Sequence, residues 1–312
     1  MEPKGWITLN IDGKPLEKLI QVVSDGIGTL YRPRKIRKEA DAQAYAIKVL
    51  ENAKAEAGAE SALIEAETAQ RIGQRIVAKE IRRQENIDTV VEMAAKNLQG
   101  KEVSEKPVEP DWASRFFEIV KDVSKEEMRV LWAKILAKEI ERPASYSLRT
   151  LELLRNIPFE EAELFARLSE FVFILDEYSF VFTGDKELNK HGFNYYYLSK
   201  LKEAGLLQTG EGATRTFSPS KSATYTHRFI CGNKFIIITI PPESKKIVLP
   251  IILLTQAGSE LIDLTEHKDN FSYLKDFAAF FKKSNPAVSV KYGNILERDG
   301  KKITYSLPLI DL

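Results

Sequence analysis

Glu243-Ser244-Lys245, beside the apolar run Phe235 to Ile240, has the acid-x-Lys spacing with which metal-dependent nucleases bind a metal ion and orient water. The same spacing recurs at Glu2-Lys4, Asp12-Lys14, Glu266-Lys268 and Asp299-Lys301. In a chain that is 29% charged these repeats are background, and solvated charges at turns and strand ends explain them. The histidines His191, His227 and His267 lie far apart, with no His-x-x-x-His pair to hold zinc. Cys231 and His227 could form a nucleophile and base. Four positions apart in a strand-like run, they share a face through ordinary alternation, and a buried structural cysteine is the better reading. No phosphate-binding Gly-x-x-x-x-Gly-Lys-Ser/Thr loop, dinucleotide fingerprint, Gly-x-Ser-x-Gly elbow or kinase signature is present. No catalytic residue, metal ligand or cofactor is therefore expected.

Two stretches suit binding better. Arg32, Arg34, Lys35, Arg37 and Lys38 could contact phosphates or an anionic membrane surface, although a charged, solvated helix start is the plainer reading. Tyr195, Tyr196, Lys200 and Lys202 fall on or near what would be the recognition helix of a winged-helix-like module, with Arg215, Lys221 and Arg228 flanking its wing. Of these, Tyr195, Tyr196, Lys200, Lys202 and Arg228 are the candidate contacts to a partner or a nucleic acid. Such modules serve protein contacts as often as DNA contacts, and no concentrated basic face favours DNA.

The elements that must position these residues follow from periodicity and punctuation. Residues 6–10 alternate like a short strand. Apolar residues from Leu16 to Leu30 recur at helical spacing. A tract rich in Ala, Glu, Lys, Gln and Arg then runs to about Leu98 without a proline, and its thin apolar seam (Ile47, Leu50, Ala57, Ile64, Ile72, Ile76, Ile87, Val91) suits a self-associating or hairpin-packed helix. Residues 100–111 combine Gly, Pro and charge as a linker does. From Trp112 a helical bundle follows. Ser124 to Glu127 reads as a capping box, Met128 to Ile140 as an amphipathic helix, Pro143 as its stop, Ser145 or Ser147 as the next cap, and Pro158 as a helix start.

Beyond Phe182 a helix stopped by Gly205, two β-branched runs (229–240 and 247–253) and the segment 255–262 give the order of a winged-helix-like module, closed by a hairpin at Asp299-Gly300. The expected fold is mainly α with an α+β C-terminal part, divided as 1–99 helical arm, 100–111 linker, 112–182 central helical bundle and 183–312 winged-helix-like module.

Acidic and basic residues nearly cancel, at 45 and 46, which argues against a globally basic nucleic-acid binder. A single cysteine fits a reducing cytoplasm, and the absence of a signal sequence or a roughly 20-residue apolar span argues against secretion and membrane insertion.

The stretch Leu131 to Ile140 with Pro143 and Ser145 to Leu151, then Ala162 to Phe165, resembles a family of uncharacterised bacterial proteins and, more distantly, the abortive-infection protein Abi-alpha. Gly26 to Pro33, Ile36 to Ala40, Lys202 to Leu207 and Leu254 to Leu261 resemble it too. The resemblance implies a bacterial cytoplasmic protein of stress or phage defence and carries no catalytic positions. The expected function is a non-enzymatic interaction protein that forms a homo-oligomer through its helical arm and binds a protein partner. The alternatives are a nucleic-acid-binding regulator acting through the winged-helix-like module, and a toxic effector acting at the membrane surface or as a nuclease.

Overall fold

Helix-forming sequence dominates the first half of the chain and β-branched and aromatic sequence the second, and a computed structural model gives each its own architecture. It describes residues 11–31, 62–175, 178–184, 187–210, 212–218, 221–265, 268–299 and 302–312. The expected strand at 6–10, the basic run 32–38 and the first part of the helical arm lie outside these residues. The chain divides into two compact units, Met1–Leu151 and Glu152–Leu312.

In the first unit α1 (Gly13–Ile27) buries Leu19, Val22 and Val23 and ends at Gly28, whose φ of 72° is the left-handed conformation that glycine adopts without strain. Gly26 lets α1 approach α3 (Pro110–Val120): a Cβ there would lie 2.3 Å from the Phe117 ring and 2.7 Å from the Ala113 carbonyl. Between them in sequence, α2 (Ala62–Leu98) buries Ile87, Val90, Val91, Ala94, Ala95 and Leu98, a regular three-four stripe confined to its C-terminal part. Helix α4 (Glu126–Glu141) completes the core with Trp132, Ile135, Leu136 and Ile140, and Phe116 packs edge-on against Trp132 at 5.5 Å. The Ser124 capping box does not form. Lys125 occupies the cap position and no side chain caps the helix.

The Pro143 stop is more than a helix breaker. Glu139 is 1% exposed, and its carboxylate accepts the backbone N–H of Ala144 at 2.6 Å and of Tyr146 at 3.1 Å. Trp112 Nε1 donates to the Tyr146 carbonyl at 2.8 Å, and Ser147 Oγ accepts from Thr150 N at the start of α5 (Leu148–Asn156). A buried carboxylate thus holds a loop that carries Ala144 at φ 69°.

In the second unit α6 (Phe159–Leu168) leads through a short 3-10 turn into β1 (Val172–Ile174) and β2 (Ser179–Phe182). After α7 (Glu187–Lys190) and α8 (Tyr195–Glu203) come β3 (Thr214–Phe217), β4 (Tyr225–Cys231), β5 (Lys234–Ile240) and β6 (Ile247–Leu253). Helices α9 (Gln256–Ile262) and α10 (Phe271–Ser284) precede β7 (Ser289–Asp299), β8 (Lys302–Tyr305) and β9 (Ile310–Asp311). The strands form one nine-stranded antiparallel sheet, ordered β3-β6-β2-β1-β4-β5-β7-β8, with β9 also on β7.

This sheet overturns the expected mainly α fold with a winged-helix-like module: the described residues are about 50% helix and 20% strand, and the sheet organises the C-terminal half. In a wing the two β-branched runs would pair with each other. Here β6 pairs with β2 and β3 instead, and the hairpin β1–β2 stands between β6 and β4. Those two strands fall within 112–182, where three- and four-residue strands with nearly every side chain buried show no alternation that would distinguish them from helix.

Candidate functional site

Alternation along the strands builds the most unusual side-chain cluster of the second unit. Arg215 and Phe217 on β3 share a face, as do Tyr225, His227, Phe229 and Cys231 on β4. Three strands separate β3 from β4 in the sheet, yet the Phe217 and His227 rings lie 4.6 Å apart, so the sheet curls until its edge strand meets β4 across the concave face. Aromatic rings fill that concavity. Phe173 stacks on Phe277 of α10 at 4.1 Å, Phe229 stands edge-on to Phe180 and Phe277, and Phe217 meets Phe281. Tyr273 Oη donates to the Phe182 carbonyl at 2.7 Å and so anchors α10 to β2.

Where α10 does not fill it, the same face carries a cation. The Arg215 guanidinium lies 5.2 Å from the Phe217 ring centre, 5.5 Å from Tyr178 and 6.0 Å from Phe229. Its Nε is fully enclosed with no hydrogen-bond partner, and no carboxylate among the described residues pairs with it. His227 is wedged between Phe217 and Tyr225, and its Nε2 is likewise enclosed and unpartnered. Burial lowers the Arg215 pKa from its ordinary value. Burial, reinforced by the Arg215 charge, pushes His227 down to about 4, so the imidazole is neutral at pH 7.

The other groups capable of chemistry are either committed to structural bonds or exposed at a turn. Cys231 Sγ donates to the Glu170 carbonyl at 3.7 Å, and burial pushes its thiol well up, which keeps it protonated. His227 and Cys231 share a face, as alternation requires, and no hydrogen bond joins them. His191 Nε2 meets Asp276 at 3.0 Å, with its ring against Phe171 and Tyr273. Glu243 and Lys245 are exposed in the β5–β6 turn, where Ser244 Oγ donates to the Pro241 carbonyl. Among the described residues no three His, Cys, Asp or Glu side chains converge as a metal site requires. His267, Glu266 and Lys301 lie outside those residues.

The expected contact residues separate. Asn194 caps α8 by accepting the Tyr197 N–H, which leaves Tyr195 and Tyr196 76% and 60% exposed at the helix start. Lys200 Nζ lies 5.1 Å over the Tyr196 ring, so these two come together, while Lys202 is half-buried two residues on. Arg228 stands on β4, exposed on the face opposite His227 and paired in register with Ile237. Arg32, Arg34, Lys35, Arg37 and Lys38 lie outside the described residues. No described helix is long and apolar enough to cross a membrane. In the sequence Arg215 reads as a flank of a wing, and His227 as a histidine without a zinc-binding partner and as a neighbour of Cys231. The signal that unites them is the period-two pattern Arg-x-Phe and Tyr-x-His-x-Phe.

The sequence matches a family described as "Protein of unknown function (DUF2806)" over residues 70–278, about two thirds of the chain. No curated protein and no solved structure matches it.

Proposed function

The chain belongs to DUF2806, a family of proteins of unknown function, and from its own surfaces we propose that it is a non-enzymatic, self-associating interaction protein. The observation that carries this reading is the asymmetry of α2. Its C-terminal part is buried in the first unit, whereas Ile72, Ile76 and Ile81, towards its N-terminal part, are 41%, 37% and 46% exposed. Ile72 and Ile76 stand one turn apart on the same face, Ile81 on another, and such an exposed apolar pair on a long helix is a starting point for assembly with a second copy. Tyr195 and Tyr196, with Lys200 against them, supply the recognition surface for a protein partner, because exposed tyrosines give large contact area at low entropic cost.

A bacterial cytoplasmic stress or anti-phage context is proposed only from the sequence resemblance read in segments such as 131–151, and the comparisons with known proteins show no link to Abi-alpha. The nucleic-acid-reading alternative loses the winged-helix-like module on which it depended. Light scattering of the full-length chain over a range of concentrations tests the assembly. Wild type is expected to be oligomeric, and the double variant Ile72→Lys, Ile76→Lys to dissociate while keeping its helical circular dichroism. A wild type that stays monomeric throughout overturns the reading.

A further inference from the structure

The curled sheet of the second unit holds a cation whose environment is built but whose charge is unanswered. Arg215 is surrounded by Tyr178, Phe217 and Phe229, and its Nε is enclosed without a partner. Its two terminal nitrogens are not enclosed, and no hydrogen bond occupies them among the described residues. A guanidinium with rings around it and its terminal N–H groups left open presents two donors to a ligand arriving end-on, the geometry that matches two adjacent oxygens. Beside it the His227 Nε2 is also enclosed and unpartnered, and Tyr225, 47% exposed, packs on the His227 ring at 4.7 Å.

Charge narrows the ligand. Arg215 brings one positive charge and the neutral His227 none, so a monoanion is matched, whereas a phosphate monoester would leave a second negative charge in a half-buried site without a counter-ion. The walls narrow it further. Tyr178 is half-buried and Tyr225 exposed, and both offer ring surface to a planar group.

We propose that Arg215, His227, Tyr178 and Tyr225 form a binding site for a small aromatic carboxylate, its carboxylate on the terminal nitrogens of Arg215 and its ring against the tyrosines. The guanidinium is already partly desolvated and flanked by its rings, so binding requires little reordering of the protein. This site is independent of the assembly surface on α2, and neither proposal needs the other.

The test is a titration of the full-length protein with benzoate, acetate and inorganic phosphate, followed by NMR at the Arg215 Nε–H and the His227 ring C–H. Benzoate is expected to shift both resonances saturably and to bind about tenfold tighter than acetate, the value of roughly 1.4 kcal/mol of ring contact. Arg215→Met should abolish the saturable shift of the His227 resonance, and Tyr225→Ala should weaken benzoate several-fold. A linear or absent response of wild type to benzoate overturns the site, as does an unchanged affinity in Arg215→Met. Acetate binding as tightly as benzoate removes the aromatic part, and phosphate binding more tightly than benzoate overturns the carboxylate assignment. The wild-type titration decides the question even where a variant fails to fold.

Discussion

Glu139 and Arg215 are both charged side chains drawn away from water, one in each unit, and their surroundings are opposite. The Glu139 carboxylate receives two backbone N–H groups and holds the turn between α4 and α5. Arg215 receives aromatic rings and no anion among the described residues, with its Nε left enclosed and unbonded. Buried polar groups are nearly always satisfied because an unmade bond costs roughly 1–3 kcal/mol. A satisfied buried charge is therefore explained by the fold that it supports. An unsatisfied one asks for a further reason, and binding is the one that the second unit suggests.

The contrast breaks most readily at Glu139. Glu139→Ala removes the acceptor of two charge-assisted bonds and strands the Ala144 and Tyr146 N–H groups, so the first unit should lose roughly 3–5 kcal/mol in urea unfolding. Glu139→Gln, which keeps one acceptor oxygen, should lose less. A loss under about 1 kcal/mol for the alanine variant would mean that the loop stands without its clamp.

Acid sharpens the other side. The folded pKa of His227, about 4, lies below the ordinary value of 6.5, so between these values the unfolded chain binds more protons than the folded one. The histidine's contribution is accordingly full above pH 6.5 and is lost as pH falls towards 4. With about 1.4 kcal/mol per pKa unit, reduced for partial solvent access, the loss is on the order of 1–3 kcal/mol. His227→Phe should flatten the stability profile across that window, measured as urea midpoints from pH 7.5 to 4. An equal slope in the variant would show that His227 is not held neutral by its surroundings.

Local chemistry was legible in the sequence where it depended on near neighbours. Ser147 caps α5, Gly205 (φ 75°) ends the α8 region, and the run 247–253 is a strand, whereas the run 229–240 is the end of β4, a turn at Gly232-Asn233 and β5. Partners distant in sequence were not legible. Nothing local shows that β6 skips β5 to pair with β2 and β3, because β1 and β2 are too short and too buried to announce themselves. Glu139 sits in a charged helix, where it reads as one more solvated residue, and only Pro143 to Tyr146 folding back over it makes it a clamp. Alternation places Arg215 with Phe217 and His227 with Phe229. Their meeting depends on curvature that brings an edge strand across to β4, and strand periodicity carries no record of that curvature.

The smallest effect is the most diagnostic, because its sign separates a pillar from a site. Arg215→Met keeps an unbranched stem among Tyr178, Phe217 and Phe229 and replaces cation–ring attraction with sulfur–ring contact, each worth roughly 0.5–1.5 kcal/mol. It also removes a partly desolvated charge and an enclosed, unbonded Nε, whose burial opposes folding by a similar amount. The two changes offset, and the variant is expected within about 1 kcal/mol of wild type, or slightly more stable, in urea unfolding at pH 7. The direction is opposite to that at Glu139, although both substitutions delete a charge, one buried and one half-buried. A loss of about 3 kcal/mol would make Arg215 a structural post like Glu139, and the difference between the two units would no longer point to a ligand.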